Sequence, residues 1–178
     1  MLNRMITIIA MALSIGAAHA DAQTAPPPGP PPAPCKADSN ARRFDFWVGE
    51  WNVTPANASV VVGHSQIQVI SGGCALLENW TATNGSDGKS INTYNPQLHH
   101  WEQFWVGSGG TVTEYRDSEW RGDTLVYLAR SMGPPGGMLQ RLSFAPVDRS
   151  TVRQLGEMSM DGGKSWTVGY DLLYHRAQ

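Results

Sequence analysis

The 178-residue chain lacks the features that mark several common function classes. It has no cluster of Lys and Arg interleaved with aromatic residues, and its 13 basic and 15 acidic side chains give a formal net charge of −2. No nucleic-acid partner is therefore expected. After an apolar stretch at the N-terminus, no run of apolar residues is long enough to cross a bilayer, so no membrane span is predicted. Strand patterns do not alternate with helical patterns, which argues against a parallel α/β sheet.

Motifs for hydrolytic and metal chemistry are also missing. The sequence contains no Gly-x-Ser-x-Gly motif, and Ser108 lies in a Gly-Ser-Gly turn signature. Outside the N-terminal stretch the histidines are His64, His99, His100 and His175. The adjacent His99 and His100 would point to opposite faces of an extended strand, so both could not bind one ion. We predict no metal site, and the one weak catalytic candidate is the carboxylate of Glu78.

The first residues have the composition of an export signal. A short positive region precedes the apolar stretch Met5–Ala18. Ala18-His19-Ala20 is a small-x-small cleavage site, and Ala20-Asp21-Ala22 is an alternative one. No Cys directly follows either site, which argues against lipid anchoring. We predict a signal peptide over residues 1–20 and an exported protein, located in the periplasm or outside the cell.

A proline-rich segment separates this leader from the rest of the chain. Residues 24–34 have the sequence TAPPPGPPPAP. Because proline fixes φ and removes backbone donors, this segment favours extended polyproline II and does not pack as a domain. We predict a disordered spacer over residues 21–36 that acts as a tether, and a proline-rich ligand for a partner domain is the alternative. The remaining residues, 37–178, suit one folded domain.

Cysteine is scarce, and Cys35 and Cys74 are the two that the chain contains. In an exported protein an even number of cysteines favours one disulfide. This disulfide would tie the start of the predicted domain to the middle of the chain. Free structural thiols are the alternative.

Gly, Asn and Asp interrupt the predicted domain at short intervals. Between these turn signals lie runs rich in Val, Ile, Thr, Trp and Tyr, several of which alternate with period two, and this is typical of consecutive hairpins. Only residues 37–43 favour a helical turn. We predict ten strands: Phe44–Thr54, Val60–Ile70, Ala75–Thr83, Ser90–Asn95, Trp101–Val106, Thr111–Arg116, Thr124–Arg130, Met138–Ala145, Thr151–Met158 and Trp166–Tyr174.

Ten antiparallel strands joined by tight turns form either an up-and-down barrel or a sandwich. A sandwich needs longer crossover connections, and a closed barrel leaves no exposed sheet edge. The predicted fold class is all-β, with a single antiparallel up-and-down β-barrel of about ten strands.

Three segments carry a resemblance to a known family: FDFWVGEW at residues 44–51, SGGCALLENW at 71–80 and SMDGGKSW at 159–166. Over most of residues 44–176 the chain resembles a set of exported bacterial lipocalin-like (calycin-type) domains of unknown function. Their barrel is similar in outline to nitrobindin-like and fatty-acid-binding-like barrels. The resemblance implies a lipocalin-like barrel and an exported location, and it implies no established chemistry.

Gly49-Glu50-Trp51 resembles the first-strand motif of lipocalins, in which glycine lets the backbone bend and approach its neighbours. In that family the tryptophan closes one end of the barrel, and an arginine of the last strand lies over its indole. Arg176 lies at the matching place, so the resemblance implies that Gly49, Trp51 and Arg176 together close the barrel. A guanidinium stacked on a desolvated indole contributes about 2 kcal/mol.

Nitrobindin-like barrels hold haem through a histidine near the C-terminus, and His175 lies in that region. If Arg176 points inward, however, alternation along the strand turns Tyr170, Leu172 and Tyr174 inward as well, and His175 outward. No cofactor is therefore expected. A haem-binding protein stays an alternative that would require a β-bulge in this strand.

The segment SMDGGKSW fits the Asp-box pattern, which is a structural hairpin device. Asp161 is expected to cap backbone N–H groups of the turn, Ser159 and Ser165 to bond nearby backbone, and Trp166 to pack beneath them. A single copy does not make a propeller, which needs several repeats.

Polar residues lie among aromatic residues on the middle strands. Because alternate residues of a strand share a face, Glu78 lies with Trp80, and Gln103 lies with two tryptophans. One face therefore offers aromatic walls with hydrogen-bonding groups, as binding pockets do. The alternative is that the aromatic residues fill a small core while Glu78 and Gln103 face water. The candidate ligand-binding residues are Glu78, Trp80, Asn92, Tyr94, Trp101, Gln103, Trp105 and Gln154.

These patterns predict an exported, non-catalytic protein that binds a small apolar or amphipathic molecule inside the barrel. Three alternatives stay open. The first is an enzyme acting on a small hydrophobic substrate, with Glu78 as general acid or base. The second is a haem-binding, nitrobindin-like protein. The third is an envelope interaction module whose barrel is filled with side chains.

Overall fold

The computed structural model describes residues 33–130 and 137–178. The predicted signal peptide and residues 21–32 of the predicted spacer lie outside the described residues. In the described part of the chain, no helix is both long and apolar enough to cross a membrane.

Strands make up most of the described chain. They are β1 (Gly49–Pro55), β2 (Gly63–Ile70), β3 (Ala75–Ala82), β4 (Asp87–Asn95), β5 (His100–Gly107), β6 (Val112–Tyr115), β7 (Asp117–Arg121), β8 (Thr124–Arg130), β9 (Leu139–Pro146), β10 (Thr151–Ser159) and β11 (Thr167–Arg176). The helical elements are short: α1 (Ser39–Arg42) and the 3-10 helices Pro34–Lys36, Asp45–Trp47 and Ser71–Gly73.

All strands belong to one antiparallel sheet in up-and-down order. The sheet order is β6-β5-β4-β3-β2-β1-β11-β10-β9-β8-β7. The N-terminal and C-terminal strands pair directly, with Trp51 opposite Arg176. The predicted all-β, up-and-down barrel is confirmed, with eleven strands in the described residues where about ten were expected.

The additional strand lies where the sheet nearly closes. β6 pairs with β5, β7 pairs with β8, and Arg116 alone separates β6 from β7. The backbone N–H of Trp101 on β5 donates to Oγ of Ser118 on β7 at 2.8 Å, which brings β7 against β5. One interrupted strand therefore joins the two sides of the barrel. β7 was not predicted, because Trp120 is the one large apolar residue in its sequence DSEWR.

The segment before β1 is not a strand, contrary to the prediction for Phe44–Thr54. Residues 45–47 form a 3-10 helix, and β1 begins at Gly49, whose φ of 135° favours glycine. A strand would place Phe44 and Trp47 on opposite faces, whereas residues three apart in a 3-10 helix share a face. Both side chains are 0% exposed. Burial of two large aromatic groups therefore favours the 3-10 helix.

Aromatic rings close one end of the barrel. Phe44 meets Trp101 and Phe144 edge-on, with ring centroids 5.4 and 5.1 Å apart, and Trp47 lies 4.5 Å from Phe144. The buried Trp51 donates from Nε1 to the carbonyl of Trp47 at 2.8 Å. These five aromatic residues are called the closed end below. All five belong to the hydrophobic core.

Arg176 covers Trp51 from outside the core. Its guanidinium carbon lies 4.4 Å from the centroid of the Trp51 ring, and Nη1 donates to the carbonyl of Val48 at 3.3 Å. A Cβ at Gly49 would lie 2.4 Å from Nη1 of Arg176, so a larger residue would displace the guanidinium. The structure thus brings together the three residues that the family resemblance assigned to barrel closure.

The predicted disulfide between Cys35 and Cys74 is confirmed. It joins the 3-10 helix Pro34–Lys36 to the turn before β3. Arg42 of α1 also donates to the carbonyl of Gly73 in this turn. Residues 34–36 belong to the predicted spacer, and in the structure the disulfide links them to the turn before β3.

The hairpin between β10 and β11 is held by Asp161. The backbone N–H groups of Lys164 and Ser165 donate to Oδ1 of Asp161 at 3.0 and 2.9 Å, and the hydroxyl of Ser165 donates to Oδ2 at 2.6 Å. The N–H of Gly163 donates to Oγ of Ser159 at 2.8 Å. The hydrogen bonds from Ser165 and its neighbours lower the pKa of Asp161 to about 2. The hairpin therefore has the capping geometry expected of the Asp-box pattern.

Candidate functional site

A cavity of about 500 Å³ lies inside the barrel. Its walls come from β3, β5, β6, β9, β10 and β11, and none of the five aromatic residues of the closed end lines it. Trp80 and Trp105 on its wall are half-buried, and Tyr170 is 43% exposed, so the cavity reaches solvent beside these three residues. This part of the cavity is called the mouth below.

The mouth pairs each of its aromatic rings with a glycine on a neighbouring strand. Ring atoms of each side chain lie against its glycine: Trp80 against Gly63, Trp105 against Gly88 and Tyr170 against Gly156. A Cβ on any of these glycines would lie 2.3 Å from a ring atom, well inside van der Waals contact. The missing side chains therefore let the rings lie along the barrel wall, and the interior keeps its volume.

A buried carboxylate forms the polar centre of the cavity wall. Glu78 on β3 is 3% exposed. Its Oε1 accepts hydrogen bonds from the hydroxyls of Ser65 at 2.9 Å and Tyr174 at 3.3 Å, and its Oε2 accepts one from Ser90 at 2.9 Å. Burial raises the pKa of Glu78, because the ionised form loses its water, and the three hydroxyl bonds partly oppose this rise. The site therefore holds a carboxyl group that is well bonded and deeply desolvated.

The hydrogen bonds around Glu78 continue across the barrel. Asn92 donates from Nδ2 to Oγ of Ser90 at 2.9 Å. Oδ1 of Asn92 accepts from Nε2 of Gln103 at 2.8 Å and from the hydroxyl of Tyr127 at 3.1 Å. On the other side of Glu78, the hydroxyl of Tyr174 also lies 3.0 Å from Oε1 of Gln154, so its one proton is shared between Glu78 and Gln154. A layer of bonded polar side chains thus separates the closed end from the mouth.

The cavity wall carries one charge pair besides Glu78. Arg141 donates from Nε and Nη2 to the two carboxylate oxygens of Glu157, both at 2.8 Å, and these two charges balance each other. The guanidinium of Arg141 also lies 4.1 Å from the centroid of the Trp166 ring, at the Asp-box hairpin. Among the described residues that line the cavity, Glu78 is the one acidic or basic group without an oppositely charged partner.

The eight predicted binding residues divide into two groups. Those that line the cavity are Glu78, Trp80, Gln103, Trp105 and Gln154. The other three do not line it: Asn92, Tyr94 and Trp101 are 0%, 7% and 1% exposed, and they lie below its floor or in the closed end. Strand alternation identifies the inward face, but it does not give the height of a residue along the barrel. For this reason the prediction merged the cavity with the core beneath it.

The prediction also left out part of the cavity wall. Leu142 on β9, Tyr115 on β6 and the inward residues of β11 line the cavity. A signal for the last of these was present, since alternation from Arg176 turns Tyr170, Leu172 and Tyr174 inward. The glycines at the mouth could not be recognised from the sequence, because each one opposes its ring on a different strand.

The histidines lie away from the cavity wall in the described structure. His175 is half-buried, with Nε2 3.3 Å from Oγ1 of Thr54, and it does not line the cavity. His99 has a φ of 57° and lies in the turn before β5, so the argument from an extended His99-His100 pair does not apply to these residues. His100 lies 3.5 Å from Glu102 and 3.8 Å from Asp117. Among the described residues, no group of three His, Cys, Asp or Glu side chains is arranged to hold a metal ion.

No protein-family model matches the chain, and no curated protein is significantly similar to it in sequence.

Proposed function

We propose that this chain is an exported, lipocalin-like protein that binds one small, partly apolar molecule in the barrel cavity. The leader sequence and the Cys35–Cys74 disulfide support export. The cavity volume of about 500 Å³ falls in the range typical of small-molecule sites, and its wall combines aromatic rings with a few polar groups.

The observation that carries the proposal is the arrangement of rings at the mouth. A barrel filled with side chains would point Trp80 and Trp105 into its interior. Both rings lie instead against glycine backbone, and both residues line the cavity. A ligand against these rings would gain roughly 25 cal/mol per Å² of apolar area that it buries. The polar layer beneath would then fix its orientation.

A fluorescence titration with the neutral probe N-phenyl-1-naphthylamine tests the proposal. We expect saturable binding with one probe per chain. The variant Trp105→Ala should weaken binding by about tenfold, because it removes one wall of the cavity. Phe104→Ala is the matched control, since Phe104 is the next residue of the same strand and is 41% exposed on the outer face.

Two results would overturn the proposal. One is a probe signal that does not saturate. The other is an equal loss of affinity in Phe104→Ala and Trp105→Ala, which would place the probe on the outer surface of the barrel. If probe binding supports the proposal, native mass spectrometry of the protein purified from its own host would give the mass of a retained ligand.

A further inference from the structure

We infer that the ligand carries a protonated amine, which binds the carboxylate of Glu78, and a flat aromatic or apolar body, which lies against the rings at the mouth. This inference rests on the proposed function and adds the chemical class of the ligand.

Glu78 has capacity for a further hydrogen bond on the cavity side. Each oxygen of a carboxylate accepts about two hydrogen bonds. Oε1 accepts from Ser65 and Tyr174, whereas Oε2 accepts from Ser90 alone among the described residues. Since Glu78 lines the cavity, a donor on a bound molecule would complete the set at Oε2.

The surrounding network presents hydrogen-bond donors to this carboxylate. Gln103 donates to Asn92, Asn92 donates to Ser90, and Ser90 donates to Glu78. The hydroxyl of Tyr127 also donates to Asn92, which fixes the side-chain amide with its NH₂ group toward Ser90. Ser90 therefore has its proton available for Glu78. A chain of donors that ends on a carboxylate favours the ionised form.

The protein supplies no countercharge at this position. In the described residues no Lys, Arg or His forms an ion pair with Glu78, and the one basic residue of the cavity wall, Arg141, is held by Glu157 through two hydrogen bonds. A buried carboxylate without a cation is costly, and a cation that arrives with the ligand removes that cost. An anionic ligand would add a second negative charge beside Glu78. A neutral ligand would leave the charge of Glu78 unbalanced.

The ring faces favour the same class of ligand. Trp80, Trp105 and Tyr170 line the cavity, and aromatic rings attract cations as well as aromatic groups over their faces. Glu78 and Trp80 are alternate residues of one strand, so carboxylate and ring face the same side. An arylalkylamine combines an ammonium group for the carboxylate with a flat body for the rings.

Three probes of matched shape test this inference by isothermal titration calorimetry at about pH 8: tryptamine, which is cationic, tryptophol, which is neutral, and indole-3-propionate, which is anionic. We expect tryptamine to bind about tenfold or more tightly than tryptophol, because a charge-assisted hydrogen bond replaces a neutral one. Indole-3-propionate should bind most weakly. If tryptophol or indole-3-propionate binds as tightly as tryptamine, the amine inference is overturned and binding in the cavity still stands.

Two variants test whether Glu78 causes the preference for tryptamine over tryptophol. In Glu78→Gln we expect the tryptamine-to-tryptophol affinity ratio to fall to about one, with tryptophol affinity changed by less than about threefold. Glu114→Gln is the matched control, because it removes the same charge from an exposed residue of β6 and should keep the preference. A preference that survives Glu78→Gln would overturn the inference. If none of the indole probes binds and N-phenyl-1-naphthylamine also fails to saturate, the proposed function itself is contradicted.

A measurement on the unaltered chain covers the case in which Glu78→Gln does not fold. As the pH is lowered from about 8 to about 5, the ionised fraction of Glu78 falls, because burial raises the pKa of this group. Tryptamine's amine and the tyrosines of the cavity wall, Tyr115, Tyr170 and Tyr174, keep their protons throughout this range. The remaining charges in the cavity wall are the Arg141–Glu157 pair. We expect tryptamine affinity to fall across this range while tryptophol affinity stays constant. Equal pH dependence of the two affinities would contradict the inference.

Discussion

At the closed end of the barrel Phe44 and Trp47 fill the interior, whereas at the mouth Trp80 and Trp105 lie along the wall. The rings of the closed end meet other rings, with Trp47 4.5 Å from Phe144. The rings of the mouth meet glycine backbone instead. The residue on the neighbouring strand therefore decides whether an inward aromatic ring fills the barrel or lines a cavity.

The largest difference between the two ends is expected in stability. Trp51→Ala removes a ring that is 2% exposed in the closed end, and should lower the free energy of unfolding by about 3–5 kcal/mol. Trp105→Ala removes a half-buried ring that borders the cavity, and should cost about 1 kcal/mol. Urea denaturation followed by circular dichroism measures both. If Trp105→Ala is as destabilising as Trp51→Ala, the mouth is part of the packed core and the comparison fails.

The disulfide should strengthen the closed end without affecting the mouth. Cys35 and Cys74 are 39 residues apart in sequence, so the bond restricts a long loop in the unfolded chain. The double variant Cys35→Ser/Cys74→Ser should lose about 2–4 kcal/mol of unfolding free energy. Affinity for N-phenyl-1-naphthylamine should stay unchanged in conditions where the variant is folded. A loss of probe affinity in the folded variant would show that the two ends are coupled.

A single methyl group at the mouth should make it behave more like the closed end. In Gly88→Ala the new Cβ would lie 2.3 Å from the Trp105 ring, so the ring must leave the wall and enter the cavity. We expect a loss of about 1–3 kcal/mol in stability and a marked loss of probe binding. Gly109→Ala is the control, because a Cβ there meets nothing within 4 Å. Retained probe binding in Gly88→Ala would mean that the glycines do not set the cavity volume.

The smallest expected effect is a pH dependence that comes from the polar layer. Burial raises the pKa of Glu78 in the folded protein above its ordinary value of 4.5. The folded state therefore binds this proton more tightly than the unfolded state does, and stability falls as pH rises from about 4.5 through the folded-state pKa. Glu78→Gln should flatten this part of the profile of unfolding free energy against pH. If the slope of unfolding free energy against pH is unchanged in Glu78→Gln, this pH dependence does not come from Glu78.

Asp161 supplies a control of opposite sign outside the cavity. Its pKa is lowered to about 2 in the folded hairpin, so its contribution to stability is lost as pH falls from about 4 to about 2. Asp161→Asn should therefore change the acid side of the stability profile and leave the slope above pH 4.5 as it is. If Asp161→Asn changes the slope above pH 4.5, that part of the pH dependence does not come from Glu78 alone.

Much of the fold follows from local sequence signals, because hairpin turns and period-two alternation are properties of neighbouring residues. Apart from the segment before β1, each predicted strand matches an observed one to within three residues at either end. Two segments were not predicted, and each depends on distant packing. Phe44 and Trp47 adopt a 3-10 helix in order to share one buried face, and β7 is defined by pairing with β8 and contact with β5.

The candidate site was predicted only in part for a related reason. Alternation places Glu78, Gln103 and Gln154 on the inward face, and all three line the cavity. Trp101 and Trp105 share the inward face of β5, but Trp101 lies in the closed end and Trp105 at the mouth, and alternation alone does not show where along the barrel each one lies. The ring-and-glycine pairs depend on register as well, and no local pattern reveals that Gly156 lies across from Tyr170.

The most direct test of the account uses the seven tryptophans of the chain as reporters in one NMR experiment. Each indole N–H gives one signal in a ¹⁵N–¹H spectrum, and N-phenyl-1-naphthylamine is then added to saturation. If the cavity at the mouth is a binding site, the signals of Trp80 and Trp105 shift, and those of Trp47, Trp51 and Trp101 stay in place. Shifts confined to tryptophans other than Trp80 and Trp105, or no shifts at all, would contradict it.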